Sequence, residues 1–158
     1  MPETAPAPAA DPLARLASHY ASMPPVAAMD IRVDHYDGRC LRVTAPLERH
    51  VNDKGCAFGG SLASLMTLGG WGLVSLQVEA AGLDADIYVA DSQIGYLRPL
   101  FADLTVEAEA GPHADWDAFM DMLRARGRAR IHVVAHARLP EGGAATEFAG
   151  RYVAILRR

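Results

Sequence analysis

Apolar and polar residues alternate over much of this chain. The habit breaks between Lys54 and Glu79, where no side chain is charged. Alternation with a period of two marks strands with one buried face. It runs over Met29 to Tyr36 and Arg39 to Ala45, and the Asp37-Gly38 pair between them signals a hairpin. It returns over Asp86 to Leu97, Leu104 to Ala110, Ala129 to Leu139 and Thr146 to Leu156. In the third of these, Ile131, Val133, Ala135, Ala137 and Leu139 fall on one face. Pro99 breaks the ladder after the first, and Glu141-Gly142-Gly143 turns the chain before the last. Helical spacing appears elsewhere. Asp11 and Pro12 open a short helix to about Ser22, which Pro24-Pro25 ends. Trp116, Phe119, Met120 and Leu123 space another over Trp116 to Arg126.

The uncharged stretch predicts a long helix from Gly59 to about Ala80, stopped by Gly82. A helix apolar nearly all round either spans a membrane or forms the centre of a core. Gly59, Gly60, Gly69, Gly70 and Gly72, with Ser61, Ser64, Thr67, Ser75 and Gln77, keep its apolarity modest. The strands that follow need a sheet to belong to, so the buried reading is preferred. Two strands, a long helix and a further run of strands then give an α+β domain. A curved antiparallel sheet wraps around the central helix, the hotdog arrangement. It occupies residues 12–158, behind a Pro/Ala-rich tail over 1–11 expected to be disordered.

At 158 residues the chain suits one core, and its 51% hydrophobic and 22% charged residues are globular in balance. A formal charge of −4 argues against a nucleic-acid partner, which calls for a dense excess of Lys and Arg. Cys40 and Cys56 cannot build a disulfide framework or a paired-cysteine metal site. Two reduced thiols in a cytoplasmic protein is the expected state, with one bridge between them as the alternative. The N-terminus lacks the basic and apolar regions of a secretion signal. No metal site is expected. His132 and His136 have a spacing that on a helix would suit a metal, but on a strand they stand about 13 Å apart. His50 lies near the loop without an evident partner and is read as a surface residue.

The loop before the central helix carries a more specific signal. Asn52-Asp53-Lys54-Gly55-Cys56-Ala57-Phe58-Gly59-Gly60 resembles the segment of phenylacetate-type hotdog thioesterases in which Asn and a short loop precede His-Gly-Gly. Asn52 to Trp71, with Asp91-Ser92-Gln93-Ile94-Gly95-Tyr96-Leu97-Arg98-Pro99, is still more similar to the thioesterase domain at the C-terminus of YiiD-type proteins. The resemblance covers most of the chain beyond the tail. It implies hydrolysis of an acyl thioester on coenzyme A or acyl-carrier protein, with no cofactor beyond the coenzyme A of the substrate. It also implies a homodimer or dimer of dimers. There are two departures: Phe58 replaces the usual His, and Thr67 stands where phenylacetate-type relatives carry Asp.

The chemistry agrees with the resemblance. A helix N-terminus offers unpaired N–H groups and partial positive charge to a developing oxyanion, and Gly59 and Gly60 leave those donors open. Close helix–sheet packing is the competing reason for the glycines. Asp53 is the only carboxylate near the helix start and is the candidate base, with a dipole-favouring charge as its alternative role. Asn52 can orient a water or hold the carbonyl. Gly60, Ser64, Thr67 and Trp71 share a helical stripe, on which the two hydroxyls either meet the water or bond back to their own helix. Asn52, Asp53, Gly60 and Thr67 are therefore the catalytic candidates. Phe58, Gly59, Ser61, Ser64, Ser92, Tyr96 and Arg98 are the substrate-binding ones, with Arg98 placed to meet a phosphate of the carrier. The alternative is a non-catalytic hotdog module that binds an acyl thioester, which the two departures favour.

Overall fold

The computed structural model describes residues 11–158, so the expected tail lies outside the described residues except for Asp11. Asp11 is ordered and caps the first helix α1, Pro12–Ser22, by accepting from the Leu13 amide. Pro24 and Pro25 do more than end it: they open a second short helix, α2, Pro24–Ala27. Proline suits a first turn because its missing N–H would lack an intrahelical partner there.

The uncharged helix is α3, Gly59–Ala80, and it runs through the centre. Its length and composition would allow it to cross a membrane, but much of its surface is buried within the fold. Six antiparallel strands surround it: β1, Arg32–Tyr36; β2, Leu41–Ala45; β3, Ala85–Tyr96; β4, Leu104–Ala110; β5, Arg128–Arg138; and β6, Ala144–Leu156. They form one sheet in the order β1-β2-β4-β5-β6-β3. This is the α+β hotdog arrangement, a curved sheet around a central long helix. A fourth helix, α4, Trp116–Arg126, joins β4 to β5, with Asp115 as its cap and Gly127 left-handed at its end.

The strand edges follow local chemistry. Asp37 Oδ1 accepts from the amides of Arg39 and Cys40, and Gly38 takes a φ of 90°, so the first hairpin turns over four residues. The first strand begins later than the alternation suggests because Asp30 is left-handed, with a φ of 51°. In β5 the alternation sorts as expected, with Ile131, Val133, Ala135 and Ala137 buried and Arg130 and His132 exposed.

The concave face meets α3 through Leu62, Leu65, Met66, Leu73, Val74, Leu76 and Val78, all buried. Enclosing these seven side chains contributes roughly 10–20 kcal/mol before the entropy of ordering is set against it. Two tyrosines then lock the helix axially. Tyr152 donates to the Thr67 carbonyl and Tyr20 to the Leu68 carbonyl, each at 2.6 Å. Burial pushes both hydroxyls well above the ordinary tyrosine range, so they remain protonated donors. They reach the backbone because a Cβ at Gly70 would collide with the Tyr152 ring, and one at Gly72 with the Tyr20 hydroxyl.

Neighbouring glycines should therefore respond in opposite ways. A Cβ at Gly69 would meet Val106 at ordinary contact distance, so Gly69→Ala should be neutral or stabilising by up to about 1 kcal/mol through helix propensity. Gly70→Ala should instead destabilise by about 1–3 kcal/mol, because the displaced ring outweighs the propensity gain. Denaturant unfolding of the two variants checks this; equal midpoints would remove the tyrosine lock.

Candidate active site at the tip of the central helix

The segment before α3 is held by its own polar groups. Asn52 Oδ1 accepts from the Lys54 amide at 2.8 Å and the Cys56 amide at 3.2 Å, and its Nδ2 approaches Cys56 Sγ at 3.2 Å. The Asn52 amide closes the same turn on the Cys56 carbonyl. The chain then enters the helix through Ala57, whose amide bonds the Leu100 carbonyl, and Phe58, whose amide bonds the His50 carbonyl at 2.7 Å. Phe58 caps the helix without a side-chain bond, and the first internal bond runs from the Leu62 amide to the Phe58 carbonyl. The amides of Gly59, Gly60 and Ser61 thus start the helix with no acceptor among the described residues.

Two aromatic rings flank those amides. Tyr96, at the end of β3, donates its hydroxyl to the Gly59 carbonyl at 2.9 Å, and its ring lies over the Gly59 Cα. The Phe58 ring folds over Gly60 so closely that a Cβ there would collide with it. Both rings are more than half exposed. Between the Tyr96 ring and the loop after β3 lies a pocket of about 270 Å³ bounded by Gly59, Leu62, Tyr96, Arg98 and Leu100. Arg98 is placed there because its amide and that of Leu97 both bond the Ala145 carbonyl.

The expected site residues divide into those at this pocket and those away from it. Gly59, Tyr96 and Arg98 line it, while Gly60 and the Phe58 ring over it stand at the helix tip without lining it. Ser92 lies four residues before Tyr96 on β3, opposite Gly150, and is exposed. Ser64 and Thr67 lie on the expected stripe, but each hydroxyl donates to its own helix at 2.8 Å: Ser64 to the Gly60 carbonyl and Thr67 to the Ala63 carbonyl. Their oxygens keep free lone pairs. Trp71, next on the stripe, donates to the Ile87 carbonyl and stacks on His19. Asp53 sits at the loop tip with its side chain 79% exposed, paired to Lys54 at 2.9 Å.

His50 is the residue that the sequence left without a role. It is buried, 5% exposed, with Nε2 2.8 Å from the Met29 carbonyl and Nδ1 2.8 Å from Ser61 Oγ. A carbonyl only accepts, so Nε2 holds the proton and, in the neutral ring, Nδ1 accepts from Ser61. Through its carbonyl and its ring, His50 grips both Phe58 and Ser61, one on each side of the open amides. Neither partner is signalled locally, since Met29 precedes it by 21 residues and Ser61 follows it by 11.

The structure is similar to that of a putative thioesterase from Shewanella oneidensis: 30% identity, TM-score 0.82, covering 91% of this chain and 97% of that one. A protein of unknown function from Chlorobaculum tepidum shares 27% identity with a TM-score of 0.85, covering 91% of this chain and 94% of that one. A thioesterase from Haemophilus influenzae shares the fold at 17% identity and a TM-score of 0.72, covering 94% of this chain and 93% of that one. The family described as "Putative thioesterase (yiiD_Cterm)" matches residues 14–156, and the chain belongs to it.

Proposed function

We propose that this protein hydrolyses an acyl thioester carried on coenzyme A or acyl-carrier protein at the Gly59–Gly60 tip of α3. The observation that carries the reading is the open first turn of the helix beside the pocket at Tyr96 and Arg98. The thioester carbonyl oxygen accepts from the amides at Gly59 and Gly60, which concentrate the positive end of a 22-residue helix. Water adds to the carbonyl carbon, negative charge grows on that oxygen, and the C–S bond breaks. The thiolate takes up a proton and the acid leaves. His50 and Ser61 act as positioning residues that hold the amides in line, and Asn52 does the same for the loop. The lone pairs of Ser64 and Thr67 face the same stripe and can accept from the attacking water.

In this reading Asp53 takes the water's proton. Its position at the loop tip suits a site shared between protomers, where the carboxylate exchanges Lys54 for the water of a neighbouring subunit. The edge strand β3 supports such pairing. It is long, its outer edge is unpaired among the described residues, and Tyr88, Val89 and Tyr96 on it are exposed large apolar residues. We place the working form as a homodimer or dimer of dimers. The free thiols Cys40 and Cys56 support a reducing, cytoplasmic setting.

One observation favours a second reading, a module that binds acyl thioesters without cleaving them. Among the described residues no carboxylate hydrogen-bonds the tip, and the Thr67 hydroxyl is engaged by Ala63. Thiol release from a panel of acyl-CoAs separates the two, since the binding module gives affinity with no release.

Asp53→Asn should lower turnover on the best substrate by roughly 10²–10⁴-fold with little change in stability. Unchanged thiol release would take Asp53 out of the mechanism. His50→Ala should act differently, lowering stability by about 2–4 kcal/mol as two buried hydrogen bonds and their packing are lost. His50→Gln, which can keep one bond, should recover part of both stability and turnover; His50→Ala with wild-type stability would overturn the clamp.

A further inference from the structure

The connection between β4 and β5 leaves part of a strand edge without a neighbouring strand. β4 pairs with β5 from Val133 to Ala137, and the Gly111 amide adds a last bond to the His132 carbonyl. There the chain leaves the sheet and inserts α4, which buries Phe119, Met120 and Leu123. The first residues of β5 therefore pair with β6 on one side and face α4 on the other. Backbone groups along an antiparallel strand point alternately to its two sides. The Arg130 amide and carbonyl thus point the same way as the His132 carbonyl, toward α4, where no strand takes them up.

A cleft of about 860 Å³ lies between α4 and this open edge, and its two ends differ. Ala118, Met122 and Arg126 form a row along α4 that brings Arg126 to the end where β5 begins. Arg128 and Arg130 alternate with buried Ala129 and Ile131, so both rise from the outer face of the sheet. None of the three arginines makes an ion pair among the described residues, whereas nearby Arg124 pairs with Asp121 and Arg151 with Asp91. Service to the α4 dipole accounts for Arg126, but not for two more arginines across the cleft from it. Asp115, toward the other end with His113 and His132, already caps α4 by accepting from the amides of Asp117 and Ala118. With the histidines neutral, three arginines against one carboxylate leave a surplus of two positive charges in the lining. The chain as a whole has a formal charge of −4.

That surplus fits a phosphate monoester, which carries about 1.5 to 2 negative charges at neutral pH. Its oxygens are ones that planar guanidinium groups bind in pairs. The Arg130 amide adds a backbone donor on the same side of the strand. Along the α4 wall, Met122 is 45% exposed and stands one turn from Ala118, so a ligand held by the arginines meets apolar surface next. Small-molecule sites share this make-up, a mostly apolar cleft with a few placed polar groups.

We propose that this cleft is a second binding site, separate from the tip of α3, for a small phosphate monoester with an apolar or aromatic body. The phosphate lies among Arg126, Arg128 and Arg130, and the body lies along Met122 and Ala118. The sheet stands between the two sites. The arginines rise from its outer face, whereas Tyr96 is paired with buried Thr146 and turns inward to Gly59. The inference needs no thioester chemistry and stands apart from the proposed function.

The test titrates phenyl phosphate into the full-length protein and into an Arg128→Gln/Arg130→Gln variant, with phenyl sulfate and inorganic phosphate as comparison ligands. Both arginines are exposed, so the unfolding midpoint of the variant should match the wild type. Saturable binding of phenyl phosphate is expected, weakened at least roughly tenfold in the variant. The singly charged sulfate, and the phosphate without a body, should each bind the wild type more weakly than the ester. No saturable binding would overturn the site, as would affinity that survives both substitutions. Either comparison ligand binding as tightly as the ester would overturn the assigned class. Acyl-CoA turnover should be the same in both proteins, and a KM raised in step with the lost affinity would overturn the separation of cleft and tip. If the wild type hydrolyses no thioester, the proposed function falls, while the titration still decides the cleft.

Discussion

An uncharged helix of 22 residues, apolar on nearly every side, must be enclosed on nearly every side. A flat sheet covers one face of a helix and leaves the rest in water. Here the six strands curl around α3, and α1 closes the gap through Leu16 and Tyr20, both buried. With so little polarity on the helix surface, its backbone carbonyls add polar anchors to those of Ser61, Trp71 and Gln77. Tyr20 and Tyr152 reach consecutive carbonyls, and the glycines at 70 and 72 let them in. Apolar enclosure supplies the stabilisation, and the two hydroxyls fix the depth at which the helix sits.

The same enclosure defines the site. Because the barrel of strands covers the body of α3, the helix can meet a polar ligand at its end. There the first three amides lack partners among the described residues, and the surrounding contacts hold them in place: His50 and Ser61 on one side, Tyr96 on the other. Fixed donors require little reorganisation when charge appears on a carbonyl oxygen. Under the proposed mechanism, the carbonyl-binding half of thioester chemistry is built into the fold. The proton-transferring half is not, since Asp53 stands on an exposed loop tip.

Much of the fold was legible in the residues. Gly59 to Ala80 as a helix, Leu104 to Ala110 as a strand and Trp116 to Arg126 as a helix all lie where periodicity and caps put them. Errors gathered where a local rule met a distant partner. Met29 looked like the start of a strand, yet it precedes a left-handed Asp30 and its carbonyl serves His50. The proline pair looked like a full stop and instead begins a turn of helix. At the site, the glycines and Tyr96 could be named from the loop motif and the strand. Whether Ser64 and Thr67 would turn toward a substrate or back to their helix could not be read, because both outcomes use the same spacing.

The sequence by itself determined the central helix, the strands that alternate around it and the glycine-marked tip. Each of these is written in neighbours a few residues apart, through periodicity, caps and turn chemistry. Only the tertiary structure decided that His50 is buried rather than exposed, with Met29 and Ser61 as its partners, and that the Tyr96 hydroxyl rests on Gly59. These relations link residues far apart along the chain. They exist once the sheet has curled around α3, so no local pattern carries them.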